Sequence, residues 1–295
     1  MDPTLIRSLV CLTLGLALTW PGVVRSEEGP TGTPAAAPSV APAAAPAPAA
    51  RSRTVLLLGD SLIVTDFGKA LEELLNAQPG LHTVRRAKSS TGLARPDFFD
   101  WMKAGQEGVT RHQPDVVVVI LGGNDGQGLT DERGKAQVQW GTSGWEAAYQ
   151  QRTTDFLRLL SAPGRQVLWV ELPFTGLPRF ERKLELIRRV SRAAVTGEST
   201  SHHLDTRAFF VDDRGHLVRD ARVEGFRKPM RLRMADGVHF TLAGGRYFAS
   251  KVHPAVMALL EPGPAAPAPV AGADGTTACR QGESTPPGPL VLCTP

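Results

Sequence analysis

The chain has 295 residues, a formal net charge of +4 at pH 7, 42% hydrophobic residues, 6% aromatics and three cysteines. That length admits one large domain or two small ones. The mild charge, with no long basic run and no aromatics interleaved among Lys and Arg, argues against a nucleic-acid-binding protein. Basic residues crowd between Arg179 and Arg233, which reads either as solvated helix and loop faces or as a surface attractive to an anionic polymer.

Residues 1–26 read as an export signal. Arg7 gives a weakly positive start, 9–20 form an apolar core, and Val24-Arg25-Ser26 makes a tolerable cleavage site. The apolar core is too short to span a bilayer comfortably, so no stable membrane span is expected after cleavage, and a periplasmic or secreted location follows. Cys11 opens the apolar core instead of following it, which is not a lipoprotein position. Residues 27–50 are dominated by Ala and Pro, and repeated Pro blocks both helix interiors and sheet ladders, so an extended linker is expected. Residues 262–295 form a similar Pro/Gly-rich tail, in which Cys279 and Cys293 suit a local disulfide in an exported protein. The folded domain is expected over 51–261.

Within it, strand-like and helix-like segments alternate. Residues 54–58 read as a strand buried on both faces, running into Gly59-Asp60-Ser61-Leu62. An amphipathic helix is predicted over 66–76, a strand over 81–87, and a second helix opening at Pro96 and carrying Phe98, Phe99, Trp101 and Met102. The β-branched run at 115–121 is a strand ending in Gly122-Gly123-Asn124-Asp125-Gly126. The stretch 129–145 reads as an insert, either a lid over a substrate or a surface excursion. Helices are expected over 144–160, 178–195 and 242–260, with strands over 166–172 and 203–211. This alternation predicts a three-layer α/β/α sandwich with a mostly parallel sheet.

Four polar groups fall at strand ends or before helices: Ser61, the loop ending in Gly92, Gly123-Asn124, and Asp236 with His239. In a parallel sheet such loops converge on one edge. Ser61 reads as a nucleophile, His239 as its base and Asp236 as the group that orients the base. Gly92 and Asn124, with the Ser61 backbone N–H, read as oxyanion donors. Each has a plainer alternative: Asp60-Ser61 as a helix cap, Asp236 as the cap of the last helix, Gly92 and Asn124 as turn residues. His202, His203 and Asp205 lack the usual metal-ligand spacing, and no metal or cofactor is expected.

Taken together and in order, Gly59-Asp60-Ser61-Leu62, Gly92, Gly123-Asn124-Asp125 and Asp236-Gly237-Val238-His239 resemble the SGNH (GDSL-type) hydrolase superfamily. Ser90-Thr91-Gly92-Leu93-Ala94-Arg95-Pro96-Asp97 and Gly123-Asn124-Asp125-Gly126-Gln127 are similar to one exported subgroup, long carried as a domain of unknown function. The resemblance spans 54–260. It implies a flavodoxin-like fold and metal-independent ester hydrolysis, with Ser61, His239 and Asp236 catalytic and Ser61, Gly92 and Asn124 forming the oxyanion hole. With the export signal, it implies an extracytoplasmic esterase acting on acylated carbohydrate or another small ester, with cell-wall polymer as a partner. The alternatives are an O-acyltransferase on the same machinery and a non-catalytic envelope-binding module.

Overall fold

Strand β1 (Arg53–Gly59) carries four consecutive residues, Val55 to Leu58, with no exposed surface at all. A strand without a solvent face must be covered on both sides, and helices do this here. In the computed structural model, which describes residues 52–261, the chain then runs in order. It passes through α1 (Ser61–Val64), α2 (Asp66–Asn76), β2 (Leu81–Ala87), α3 (Trp101–His112) and β3 (Val116–Ile120). A hairpin of β4 (Leu129–Thr130) and β5 (Ala136–Val138) precedes α4 (Ser143–Leu160), β6 (Gln166–Val170), α5 (Pro178–Thr196), β7 (Ser201–Leu204) and α6 (Arg207–Phe210). The small ribbon of β8 (Asp220–Ala221) and β9 (Met230–Arg231) leads to α7 (Leu242–Leu260). The export signal, the 27–50 linker and the tail with Cys279 and Cys293 lie outside the described residues.

The main sheet has the order β2-β1-β3-β6-β7 and every pairing in it is parallel. Numbered by its own strands this is 2-1-3-4-5, the doubly wound flavodoxin-like order. Helices α2 and α7 pack together as one layer, and α3, α4 and α5 form the other. The result is a three-layer α/β/α sandwich, as the alternation predicts. The strand order reverses between β1 and β3, which opens a crevice at their carboxyl ends. Among the described residues, no helix is long and apolar enough to cross a membrane.

Two expectations are corrected. The helix expected from Pro96 starts at Trp101, because the Asp100 side chain accepts the Lys103 N–H at 2.9 Å and caps it there. Residues 95–99 form a turn, with the Arg95 guanidinium clamped on Asp97 and the Phe98 and Phe99 N–H groups donating to the Arg95 carbonyl. The strand expected over 203–211 stops at Leu204. The Asp205 carboxylate then accepts the Arg207 N–H at 2.7 Å, and Arg207–Phe210 winds into a helical turn that buries Phe210. The 129–145 insert holds the β4–β5 hairpin. Its hairpin is tied down, with Thr130 N–H donating to Ala94 and Arg152 donating to the Leu93 and Thr130 carbonyls.

The α2–α7 contact is close. Phe67 stacks on Phe248 with ring centroids 4.1 Å apart, and a Cβ on Gly245 would lie 2.5 Å from the Asp66 carbonyl carbon. Only glycine fits at that crossing. Gly245→Ala is therefore expected to destabilise the domain by roughly 1–3 kcal/mol through overpacking. The reading is a lower urea midpoint at unchanged slope, and an unchanged midpoint would show that the helices part without cost.

Candidate active site

Ser61 stands at the end of β1, where the backbone has no slack. A Cβ on Gly59 would lie 2.5 Å from Ile63 Cγ1 and 2.6 Å from the Ile120 carbonyl oxygen, so the strand can end this close to α1 and β3 only in glycine. Asp60 is buried, and its Oδ1 accepts the Leu62 N–H at 3.0 Å, capping α1. The Ser61 carbonyl accepts from both the N–H and the hydroxyl of Thr65. Its own N–H has no partner among the described residues.

His239 arrives from the other end of the domain, in the turn before α7. Asp236 Oδ1 accepts the backbone N–H groups of Val238 and His239 at 2.8 and 2.9 Å, and Gly237 takes a left-handed φ of 73° to make this possible. Asp236 Oδ2 is 2.7 Å from His239 Nδ1, and His239 Nε2 is 2.8 Å from Ser61 Oγ. A carboxylate only accepts, so Nδ1 carries the proton and Nε2 is left to accept from the serine hydroxyl. Desolvation pushes the Asp236 carboxyl up, but the hydrogen bonds from the His239 ring and from the His239 and Val238 N–H groups outweigh it and hold it below its ordinary value.

Asn124 follows β3 through Gly122, whose φ of 116° and contact with Ile187 exclude a side chain. The Asn124 side-chain NH₂ donates one hydrogen to the Thr91 carbonyl at 2.9 Å. Its other neighbour is Asp60 Oδ2, 3.4 Å away. That second hydrogen, in the longer bond to Asp60 Oδ2, is the one that can turn to a developing oxyanion.

Gly92 sits one residue past the carbonyl that Asn124 holds. It lines a different pocket, with Leu93 and Trp101, and not the Ser61 cavity. Its N–H has no partner among the described residues. The reason for glycine here is Asp125: a Cβ would lie 2.1 Å from Asp125 Oδ1. That buried carboxylate accepts the Leu93 and Ala94 N–H groups, each at 2.9 Å, and the Tyr149 hydroxyl at 2.7 Å. Asp125 and Tyr149 thus anchor the loop beside Asn124, and the motif reading overlooked both. Tyr149 carries a usable signal, since it follows Trp145 at helical spacing and stacks on it.

Ser61, Asn124 and His239 face a cavity of about 70 Å³, with Asp60 in its wall and Leu172, Pro173, Phe180 and Leu184 as its apolar side. Arg233 also borders it and was likewise missed. This side chain is buried, packs flat on Phe240 at 3.9 Å and donates to the Val238 and Phe174 carbonyls, so it braces the turn that holds His239. His203 pairs with Glu171 at 2.9 Å in a cluster that includes Arg192, away from this cavity. Among the described residues, no group of three or more His, Cys, Asp or Glu could hold a metal ion.

Burial pushes the Asp60 carboxyl up to about 7. The Leu62 N–H pulls it down, and the neighbouring Asp125 charge adds to the rise. Burial likewise raises Asp125, against the Ala94 N–H, the Tyr149 hydroxyl and the Leu93 N–H.

A family model described as "Protein of unknown function (DUF459)" matches residues 54–255. The chain is similar in structure to TesA (23% identity, 70% of this chain and 99% of that one, TM-score 0.47). It is also similar to an acetyl xylan esterase from Geobacillus stearothermophilus (19%, 68% and 92%, 0.47). A GDSL-like lipase from Bacteroides thetaiotaomicron is a third such structure (14%, 70% and 89%, 0.45). No curated protein matches the chain.

The Asp60 shift makes stability depend on pH. Unfolded, the carboxyl titrates near its ordinary 3.8; folded, near about 7. Between those values the folded chain keeps a proton that the unfolded chain has released, so stability falls as pH rises through this window. Asp60→Asn keeps an acceptor for the Leu62 N–H and is expected to flatten that fall. Parallel stability profiles of wild type and variant from about pH 4 to about pH 7 would contradict it.

Proposed function

Since the chain belongs to the DUF459 family, whose name assigns no chemistry, we propose its activity from the site itself: a serine carboxylic-ester hydrolase. The observation that carries this reading is the unbroken chain from Asp236 through His239 to Ser61, at 2.7 and 2.8 Å. Ser61 Oγ attacks the ester carbonyl carbon while His239 Nε2 takes the hydroxyl proton, and Asp236 stabilises the imidazolium that forms. The Ser61 N–H and the Asn124 hydrogen that turns from Asp60 Oδ2 donate to the oxyanion, with the Gly92 N–H as third donor. Collapse of the tetrahedral intermediate breaks the C–O bond, and the leaving alcohol takes the proton from His239. Water, deprotonated by His239, then attacks the acyl-serine and releases the carboxylic acid.

An acetyl methyl would lie against the apolar side of the cavity, on Leu172 and Pro173. The export-like segment 1–26 and the Ala/Pro spacer 27–50 support an extracytoplasmic enzyme acting on O-acyl esters of envelope carbohydrate.

Ser61→Ala is expected to lower kcat on an aryl acetate by several orders of magnitude with the fold intact. Asp236→Asn, which loses the acceptor for the Nδ1–H, should fall short of that loss. An organophosphonate should label Ser61 in wild type and fail to label the His239→Ala protein. Near-wild-type turnover by Ser61→Ala would overturn the reading. Product analysis with and without an acceptor glycan separates hydrolysis from acyl transfer.

A further inference from the structure

Beside the Ser61 cavity lies a second one of about 180 Å³, and Thr175 and Arg233 border both. Gly237, inside the turn that holds His239, also lines it. Three arginines line it, Arg219, Arg231 and Arg233, and no carboxylate does. Such a lining makes an anion favourable anywhere inside.

The three cations are short of counter-charge. Arg233 is only 6% exposed and makes no ion pair; its hydrogen bonds go to two carbonyls, and its buried Nε has no acceptor among the described residues. The nearby carboxylates are committed elsewhere, Glu181 to Arg188 and Thr175, and Asp236 to His239. Desolvation accordingly lowers the Arg233 guanidinium from 12.5 to about 9. Arg219 is exposed and has no ion pair among the described residues. Arg231 pairs with Asp220 at 3.1 Å, but both side chains are about half exposed, so the pair is weak and easily exchanged for another anion.

We propose that this cavity is an anion subsite, in which Arg219, Arg231 and Arg233 bind a carboxylate or phosphate carried by the ester undergoing cleavage at Ser61. The preferred substrate is then an acylated molecule bearing negative charge next to the scissile ester, such as an acidic glycan, and not a neutral one. Guanidinium forks match both oxyanions in geometry. The inference rests on the hydrolase reading for its chemistry, though not for its binding.

The test compares 4-acetoxybenzoate and 4-acetoxyphenyl phosphate with methyl 4-acetoxybenzoate, a neutral analogue. Wild type should favour the anionic esters by about tenfold or more in kcat/KM, mainly through KM and less so at high salt. In R219Q/R231Q, whose replaced side chains are exposed, the preference should shrink to within about threefold, while R219K/R231K keeps part of it. Preference for one anion alone would identify which oxyanion the subsite takes. Equal rates on charged and neutral esters in wild type, or a preference that survives R219Q/R231Q, would overturn the proposal. Binding of the same three compounds to Ser61→Ala protein reads the subsite without turnover. If wild type hydrolyses none of them, the hydrolase reading fails; the subsite stands if the anions still bind more tightly and falls if they do not.

Discussion

The hydrogen bond between Ser61 and His239 joins positions 178 residues apart in the chain, and the site exists only while both ends are held. Each end is held differently. Ser61 is fixed by burial: β1 has neighbours on both edges and helices on both faces, and Gly59 leaves no room for the strand end to move. His239 is fixed by polar contacts, because its turn has little hydrophobic surface to bury. Asp236 holds the turn from inside through two backbone N–H groups, and Arg233 holds it from outside through the Val238 carbonyl. Phe240, the next residue, enters a cluster with Phe210 and Phe248 that joins the turn to the core.

Two buried carboxylates lie beside Asn124 and residues 92–94, and their surroundings give them different tasks. Asp125 accepts from two backbone N–H groups and a tyrosine hydroxyl, so it serves as an anchor for residues 92–94. Asp60 has one short backbone donor and a long contact with Asn124, and burial dominates its titration. Burial thus favours the protonated form of Asp60, which lessens the negative charge beside Asn124.

Much of this was legible in the sequence where local rules and tertiary packing agree. Helix α2 and strand β2 have the expected limits because Pro79-Gly80 separates two clear periodicities. The doubly wound sheet follows from the alternation of elements, and Ser61, Asn124, Asp236 and His239 lie together as their motif order suggests. The misses share a cause, which is competition between two plausible local signals. Pro96 is a good helix opener, but Asp100 caps better. Phe209 and Phe210 look like strand residues, but Asp205 turns the chain before them. Arg233 and Asp125 were not legible at all, because their importance comes from partners far along the chain, such as Phe174 and Leu93. Gly92 has a second reason to be glycine that was not legible: the Asp125 carboxylate excludes a side chain there.

Helix α7 is the last element of the domain, and it packs on α2, which follows the nucleophile. The distance between nucleophile and base is thus governed by an interface between the second helix and the last. During synthesis, Ser61, Asn124 and the whole parallel sheet are complete well before His239 and α7 exist. In a nascent or truncated chain Ser61 therefore has no His239 beside it, and the pair forms only with docking of the final helix. Long-range contacts of this kind slow folding. Here they also time the pairing of Ser61 with His239, which waits until the domain that contains it is finished.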